Sequence, residues 1–143
     1  MSGKASGAAA DRPLTDREFR ALAQFRHSLR VFLRFSEESA RQAGITPAQH
    51  QLLLAIRGFP EGAPAIGEVA EMLQVRHHSA LELVHRAQDA GFVATTVDPD
   101  DHRRQLLDIT PQGAAILETL SAAHRDELRG FRRRMADLLD ELG

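Results

Sequence analysis

The sequence predicts a mainly α-helical fold, a winged helix-turn-helix in which long N- and C-terminal helices flank a helix pair and a small β-hairpin, the wing. Three observations lead to this fold class. Two short helical patterns occupy residues 66–73 and 76–90, strand-like segments follow at 92–97 and 105–109, and long amphipathic patterns fill both ends of the chain. We expect residues 14–143 to form a single domain, with the winged helix-turn-helix at about 46–110.

The composition is that of an ordinary globular protein. The 143 residues suffice for one domain, 43% of them are hydrophobic, and no apolar run approaches the roughly 20 residues that span a bilayer. Residues 1–13 lack the apolar segment of a secretory signal, and we predict that they form a disordered tail on a cytoplasmic protein. The absence of cysteine excludes disulfides, thiolate metal sites and thiol redox switches.

The first long helix, at about 14–43, is predicted from apolar residues that recur at helical spacing: Phe19, Leu22, Phe25, Leu29, Phe32 and Leu33. Thr15 and Glu18 have the spacing of a capping box at its start. A second helix begins after Thr46, its predicted cap, with Pro47 in the first turn.

The helix pair and the wing come next along the chain. Residues 66–73 read as a short helix, residues 74–76 as the turn, and residues 76–90 as the second helix, which Gly91 ends in the left-handed conformation. The sequence DPDD then turns the chain between the two predicted strands.

The last helix, at about 111–143, begins after Thr110 as its cap and carries an apolar stripe that recurs at steps of three and four residues over its whole length. This regularity exceeds what one side of a small core requires, and it indicates packing against another long helix, either the first helix or a second copy of the chain. The alternative is a stripe buried wholly within the monomer. His124 falls on the stripe, where we expect a hydrogen bond in the core to satisfy it. The stripe comprises Leu117, Leu120, His124, Leu128, Phe131, Met135, Leu138 and Leu142.

A helix-turn-helix with a basic wing points to double-stranded DNA, because the second helix fits the major groove while an arginine at the wing tip reaches the minor groove. The net charge of -2 and the pI near 6.4 speak against a polyanionic partner. Between residues 76 and 104, four arginines stand against five acidic residues. Affinity for phosphate depends, however, on where the positive groups lie on the binding face.

The order of these elements and three local motifs resemble the MarR family of bacterial transcription regulators. In the wing, Asp101, His102 and Arg103 precede a hydrophobic strand that ends at Thr110 and a helix that contains Gly113. AEML precedes the turn of the helix pair, and AGFV leaves its second helix. The resemblance covers the chain from about residue 14 onward. It implies a homodimer whose first and last helices interlock, so that two winged-helix lobes meet a pseudo-palindromic operator.

The resemblance also assigns roles to single residues. Arg103 matches the wing-tip arginine that enters the minor groove, and Asp101 would orient its guanidinium group; the alternative is a surface ion pair that stabilises the turn. The recognition helix departs from the commonest family pattern, because RHHS stands where Asp-Arg-Ser-Thr is frequent and Glu82 occupies a position that often holds arginine. The candidate DNA-binding residues are Arg76, His77, His78, Ser79, Glu82, Arg86, Asp101, His102, Arg103 and Arg104.

Histidines near this candidate interface predict a pH dependence. They would add positive charge as the pH falls toward about 6.5, so we hypothesise that operator binding tightens at mildly acidic pH. A metal site is not expected, because adjacent histidines diverge on a helix and the pair His78 and Glu82 lacks a third ligand. The four histidines concerned are His77, His78, His85 and His102.

The resemblance further implies a cleft for a small aromatic or phenolic effector. Arg30 would pair with a ligand carboxylate. The alternative, which the sequence supports at least as well, is that Arg30 pairs with Glu37, Glu38 or a partner subunit. The residues expected near this cleft are Phe25, Arg30, Phe32, His50 and Leu53.

Two functions remain open on this basis. One is a transcription regulator, a repressor that a small molecule releases by changing the spacing of the two lobes. The other is a winged-helix module that binds proteins without specific DNA binding, which the acidic balance favours and which Arg103 and Arg104 argue against. No enzymatic function and no cofactor are predicted, since the sequence has no interpretable catalytic triad, no glycine-rich phosphate loop and no HExxH motif.

Overall fold

The computed structural model describes residues 12–142, so most of the predicted N-terminal tail lies outside the described residues. The elements occur in the predicted order, and the mainly helical fold with a β-hairpin wing is confirmed. The helices and strands are α1 (Asp16–Gln42), α2 (Pro47–Arg57), α3 (Ile66–Leu73), α4 (His77–Asp89), β1 (Val93–Val97), β2 (Gln105–Ile109) and α5 (Pro111–Leu142).

The described chain divides into two compact units. The central unit is Phe35–Arg125 and holds the helix pair and the wing. The terminal unit comprises the described residues 12–34 and 126–142, and apart from residues 12–15 these belong to the two long helices.

The terminal unit begins with the predicted capping box. The backbone N–H of Glu18 donates to Thr15 Oγ1 at 3.2 Å, and the backbone N–H of Thr15 donates to Glu18 Oε1 at 3.2 Å. The bond from Thr15 and the neighbouring Arg12 lower the pKa of Glu18. Within this unit the rings of Phe32 and Phe131 lie 5.2 Å apart. The local sequence pattern therefore fixes the start of α1 as expected.

The central unit contains the hydrophobic core. Thr46 caps α2 as predicted, because its Oγ1 accepts a bond from the backbone N–H of Gln49 at 3.1 Å, and its own backbone N–H donates to Gln49 Oε1 at 3.0 Å. The core residues come from all elements of the unit: Ala40, Ile45, Leu52, Leu53, Ala55, Ile56, Val69, Val84, Ala87, Phe92, Val93, Leu107, Leu117 and Leu120.

The wing is an antiparallel hairpin attached to the segment before α3. Val93 pairs with Ile109 and Val97 with Gln105. On the other side of β2, the N–H of Leu107 donates to the carbonyl of Pro64 at 2.8 Å, and the next residue, Ala65, forms an isolated bridge with Leu106. These backbone bonds tie the base of the wing to the start of the helix pair.

Two glycines are required at the exit from α4. Gly91 has a φ of +84°, in the left-handed region that the sequence predicted for it. At Gly113 a Cβ atom would collide with the carbonyl oxygen of Phe92. The close approach of α5 to Phe92, the residue that precedes β1, therefore depends on glycine.

Candidate nucleic-acid interface

Helix α4 presents a polar face to solvent. Its inward residues Ala80, Val84 and Ala87 are buried in the core. The six candidate residues on or next to this helix are all exposed: Arg76, His77, His78, Ser79, Glu82 and Arg86. The pattern of burial therefore leaves the predicted recognition surface free for a ligand.

The turn between α3 and α4 is held by Gln74. This residue has a φ of 55°, an uncommon conformation for a residue other than glycine, and its side chain donates to the carbonyl and the carboxylate of Glu71 at 2.7 and 2.9 Å. The N–H of Val75 donates to the carbonyl of Ala70 at 3.0 Å. These bonds fix the direction in which α4 leaves the turn.

The wing tip is shaped by aspartate side chains. Asp98 Oδ1 accepts the backbone N–H of Asp100 at 2.9 Å, and Asp101 Oδ1 accepts that of Arg103 at 3.1 Å. The same oxygen of Asp101 accepts a bond from Nε of Arg103 at 3.2 Å. The Arg103 side chain remains 92% exposed, so its charge is available at the tip.

Arg104, the next residue, has a different environment. Its Nη2 donates to Glu68 Oε1 at 2.6 Å, and its Nε lies 3.7 Å from Asp98 Oδ2. Glu68 belongs to α3, so this ion pair joins the wing to the helix pair. Sequence reasoning missed the contact because the partners lie 36 residues apart.

A notch of about 320 Å³ opens between the N-terminal ends of α3 and α4 and the wing. Three of its lining residues, His77, Arg103 and Arg104, are candidate DNA-binding residues, so the structure brings these three together. The full lining is Ala65, Ile66, Gly67, His77, Arg103, Arg104 and Gln105.

The residues predicted for an effector cleft occur in both units. Phe25 and Phe32 are half-buried and Arg30 is exposed in the terminal unit, whereas His50 and Leu53 are buried in the central unit. In the described residues, the Nδ1 atom of His50 has no hydrogen-bond partner.

His50 belongs to a small polar group that sequence reasoning did not assemble. Its ring lies 5.1 Å from that of His124, and burial together with the proximity of His124 lowers the pKa of His50. His124 Nδ1 bonds the carbonyl of Leu120 at 2.7 Å, and its Nε2 bonds Ser36 Oγ at 2.9 Å. The expectation that hydrogen bonds satisfy His124 in the core is confirmed.

Two classes of feature are not found in the described part of the chain. Residues 12–142 contain no cluster of three or more His, Cys, Asp or Glu side chains that could hold a metal ion. They also contain no helix that is long and apolar enough to cross a membrane.

The model of the MarR family matches residues 43–104, which include the helix pair and most of the wing. Among curated proteins, a putative transcriptional regulatory protein for the hcr operon of Thauera aromatica is 25% identical over 112 residues. That alignment covers 78% of this chain and 66% of the relative's length, just under two thirds.

The winged-helix segment of the chain is thus similar to the MarR family of transcription regulators, and residues 43–104 carry the similarity. This is a family of regulators and not of enzymes, in agreement with the prediction from the sequence.

Solved MarR-family structures share the fold. A crystal structure of a MarR family transcription regulator gives a TM-score of 0.71 at 22% identity and covers 82% of this chain and 77% of its own. A mutant MarR from E. coli complexed with operator DNA gives a TM-score of 0.68 at 24% identity, and the match covers 82% of this chain and 84% of the MarR chain. A third similar structure is that of Bordetella bronchiseptica BpsR, whose DNA binding is regulated by 6-hydroxynicotinic acid. Its TM-score is 0.62 at 20% identity, and the match covers 82% of this chain and 88% of the BpsR chain.

Proposed function

We propose that this protein is a MarR-family regulator that binds double-stranded DNA as a homodimer and represses transcription. The observation that supports this proposal is the exposed polar face of α4 next to the exposed Arg103 on one compact unit. A rigid helix and a basic hairpin tip at a fixed spacing suit adjacent major and minor grooves. Residues 14–143 would act as one regulatory domain in the cytoplasm.

The proposed contacts follow from the exposed residues. Helix α4 enters the major groove, where Ser79, Glu82 and Arg86 face base edges or phosphates. Arg103 enters the minor groove, and Asp101 holds its guanidinium group in place. Arg76, His77, His78 and His102 contribute positive or polar groups at the edges of this surface.

The homodimer is supported by apolar side chains that the terminal unit leaves in solvent. Phe19 is 55% exposed and Leu139 is 62% exposed, whereas a stable chain in water buries such residues. A second copy of the same two helix segments would cover them. The other large apolar residues exposed in this unit are Leu14, Leu22, Leu29, Val31, Leu33, Leu128 and Leu142.

The proposed effector is a small aromatic or phenolic molecule that releases the repressor from DNA. The regulation of BpsR by 6-hydroxynicotinic acid offers a precedent in a protein with this fold. In the terminal unit, the exposed Arg30 would bind an acidic group of the ligand, and the half-buried Phe25 and Phe32 would contact its ring. An effector and an operator that favour different lobe spacings exclude one another.

The test is selection from a pool of random duplexes with the purified protein at pH 6 and pH 8. An enriched inverted repeat with half-sites about one helical turn apart is the expected result. Tighter binding at pH 6 than at pH 8 would support the contribution of the exposed histidines, and equal affinity with equal salt dependence would refute it. No enrichment at either pH would overturn the DNA-binding proposal in favour of a protein-interaction module.

A further inference from the structure

Arg104 at the base of the wing is held by two carboxylates from different segments. Its Nη2 bonds Glu68 Oε1 at 2.6 Å, and its Nε is 3.7 Å from Asp98 Oδ2. Its backbone is also engaged, because its carbonyl accepts from the N–H of Asp98 at 3.0 Å and its own N–H donates to the carbonyl of Asp101 at 2.9 Å. Arg104 is thus bound to the protein through both its side chain and its main chain.

Glu68, the partner of Arg104, is itself fixed in place. The same Oε1 atom accepts the backbone N–H of Ala65 at 3.1 Å, which closes the first turn of α3. Ala65 lies beside β2, where the bridge to Leu106 and the bond from Leu107 to Pro64 join backbone to backbone. The ion pair therefore adds a side-chain link next to the backbone link between α3 and the wing.

Arg103 differs from Arg104 in its exposure and in its partners. Its side chain is 92% exposed against 46% for Arg104, and its one described carboxylate contact is to Asp101, two residues away in the same turn. An arginine that binds only its own turn keeps its guanidinium group free to enter a groove. An arginine shared between two carboxylates has its charge compensated where it stands.

We propose that Arg104 is a positioning residue for DNA binding, which sets the wing against α3 through Glu68 and leaves the contact with DNA to Arg103. This inference rests on the proposed DNA-binding function. It has an unusual electrostatic consequence: Glu68, an acidic residue beside the candidate interface, supports the binding of a polyanion.

The test uses glutamine variants, because Glu68→Gln removes the charge and keeps an oxygen that can accept the Ala65 N–H. We expect Arg104→Gln and Glu68→Gln each to weaken operator binding about tenfold, and the double variant to be no weaker than Arg104→Gln alone. Arg104→Gln should leave the slope of log affinity against log salt unchanged. The matched control, Arg103→Gln, should lower that slope by about one unit.

Simple electrostatics predicts the opposite result for Glu68. If Arg104 contacts a phosphate directly, removing a nearby carboxylate should tighten binding or leave it unchanged, and Arg104→Gln should lower the salt slope by about one unit. Either observation would overturn the inference.

A second measurement uses the free protein and separates this inference from the proposed function. Amide hydrogen exchange at Asp98 and Leu107, whose N–H groups bond Arg104 and Pro64, should be faster in Arg104→Gln and Glu68→Gln and unchanged in Arg103→Gln. Unchanged exchange in all three variants would overturn the positioning role. A wild-type protein that binds no duplex would overturn the proposed function, and with it any role of Arg104 in DNA binding.

Discussion

The central and terminal units differ in how far they bury their apolar side chains. The central unit buries leucines from α2, β2 and α5 completely or nearly so, among them Leu52, Leu107 and Leu117. In the described residues 12–34 and 126–142, only Ala21 and Ser28 are buried. The difference indicates that the central unit is stable through its own core, whereas the terminal unit leaves apolar surface in water, which the proposed second copy of the chain would cover.

The largest expected effect separates two leucines of the same helix. Leu52 is fully buried and Leu54 is 41% exposed. Leu52→Ala leaves a cavity and should lower the free energy of unfolding by about 2–5 kcal/mol, whereas Leu54→Ala should change it by less than about 1 kcal/mol. Urea denaturation followed by circular dichroism measures both. Equal losses would contradict the view that the central unit has a self-contained core.

The next prediction concerns the terminal unit. Leu139→Asp places a charge on its most exposed large apolar position and should weaken self-association by roughly 30-fold, the size of a hot-spot substitution. Sedimentation velocity over a range of protein concentrations reports the change. Leu54→Asp is the matched control, because this leucine is exposed on the central unit. If both variants dissociate alike, the interface does not lie where the exposed residues place it.

Acid should destabilise the fold through His50. Burial lowers the pKa of His50 in the folded state below its usual value of 6.5, so well above pH 6.5 both states are neutral and this group adds no pH dependence. Below about pH 6.5, His50 binds a proton in the unfolded state but not in the folded state, where its pKa is lower. The free energy of unfolding then falls as the pH falls from about 6.5 to the lower pKa of the folded state, by at most about 1.4 kcal/mol per pH unit.

The measurement is the free energy of unfolding at pH 7.5, 6.5 and 5.5. The difference between pH 6.5 and pH 5.5 should shrink in His50→Gln, which does not titrate. His85→Gln replaces an exposed histidine and should keep the wild-type difference. If the free energy of unfolding of His50→Gln falls between pH 6.5 and pH 5.5 as much as that of the wild type, the acid sensitivity comes from other groups.

The smallest effect compares the two helix caps. Thr46→Ala removes a cap inside the central unit and should cost about 1 kcal/mol of unfolding free energy. Thr15→Ala removes the equivalent bond near the end of the described chain and should cost less, because that first turn packs against fewer buried groups. Thr119→Ala, a position within α5 that caps nothing, should stay within about 0.5 kcal/mol. A larger loss in Thr15→Ala than in Thr46→Ala would reverse the comparison.

Sequence alone predicted the features whose determinants are local. The caps at Thr15 and Thr46, the left-handed Gly91 and the two strands of the wing each depend on residues a few positions apart, and each is confirmed. Local spacing also placed the exposed face of α4, because the inward residues Ala80, Val84 and Ala87 recur at helical intervals.

Contacts between distant residues could not be predicted in the same way. The bond from His124 to Ser36 spans 88 residues, and the ion pair of Arg104 with Glu68 spans 36. Spacing says nothing about such pairs, since they depend on how the elements pack. The sequence assigned the wing-tip role to Arg103 through the family resemblance and placed Arg104 beside it among the candidates for DNA contact. Only the three-dimensional structure shows that Arg104 is paired with Glu68.

The pairing of Pro64 and Ala65 with β2 has a consequence for the behaviour of the protein at high concentration. A free strand edge invites pairing with the edge of another molecule and so promotes aggregation. In the described chain β2 is covered on both sides, by β1 and by this segment. Intermolecular strand addition would have to begin on β1, which spans only Val93–Val97. The hairpin is thereby left with a single strand of five residues for such pairing.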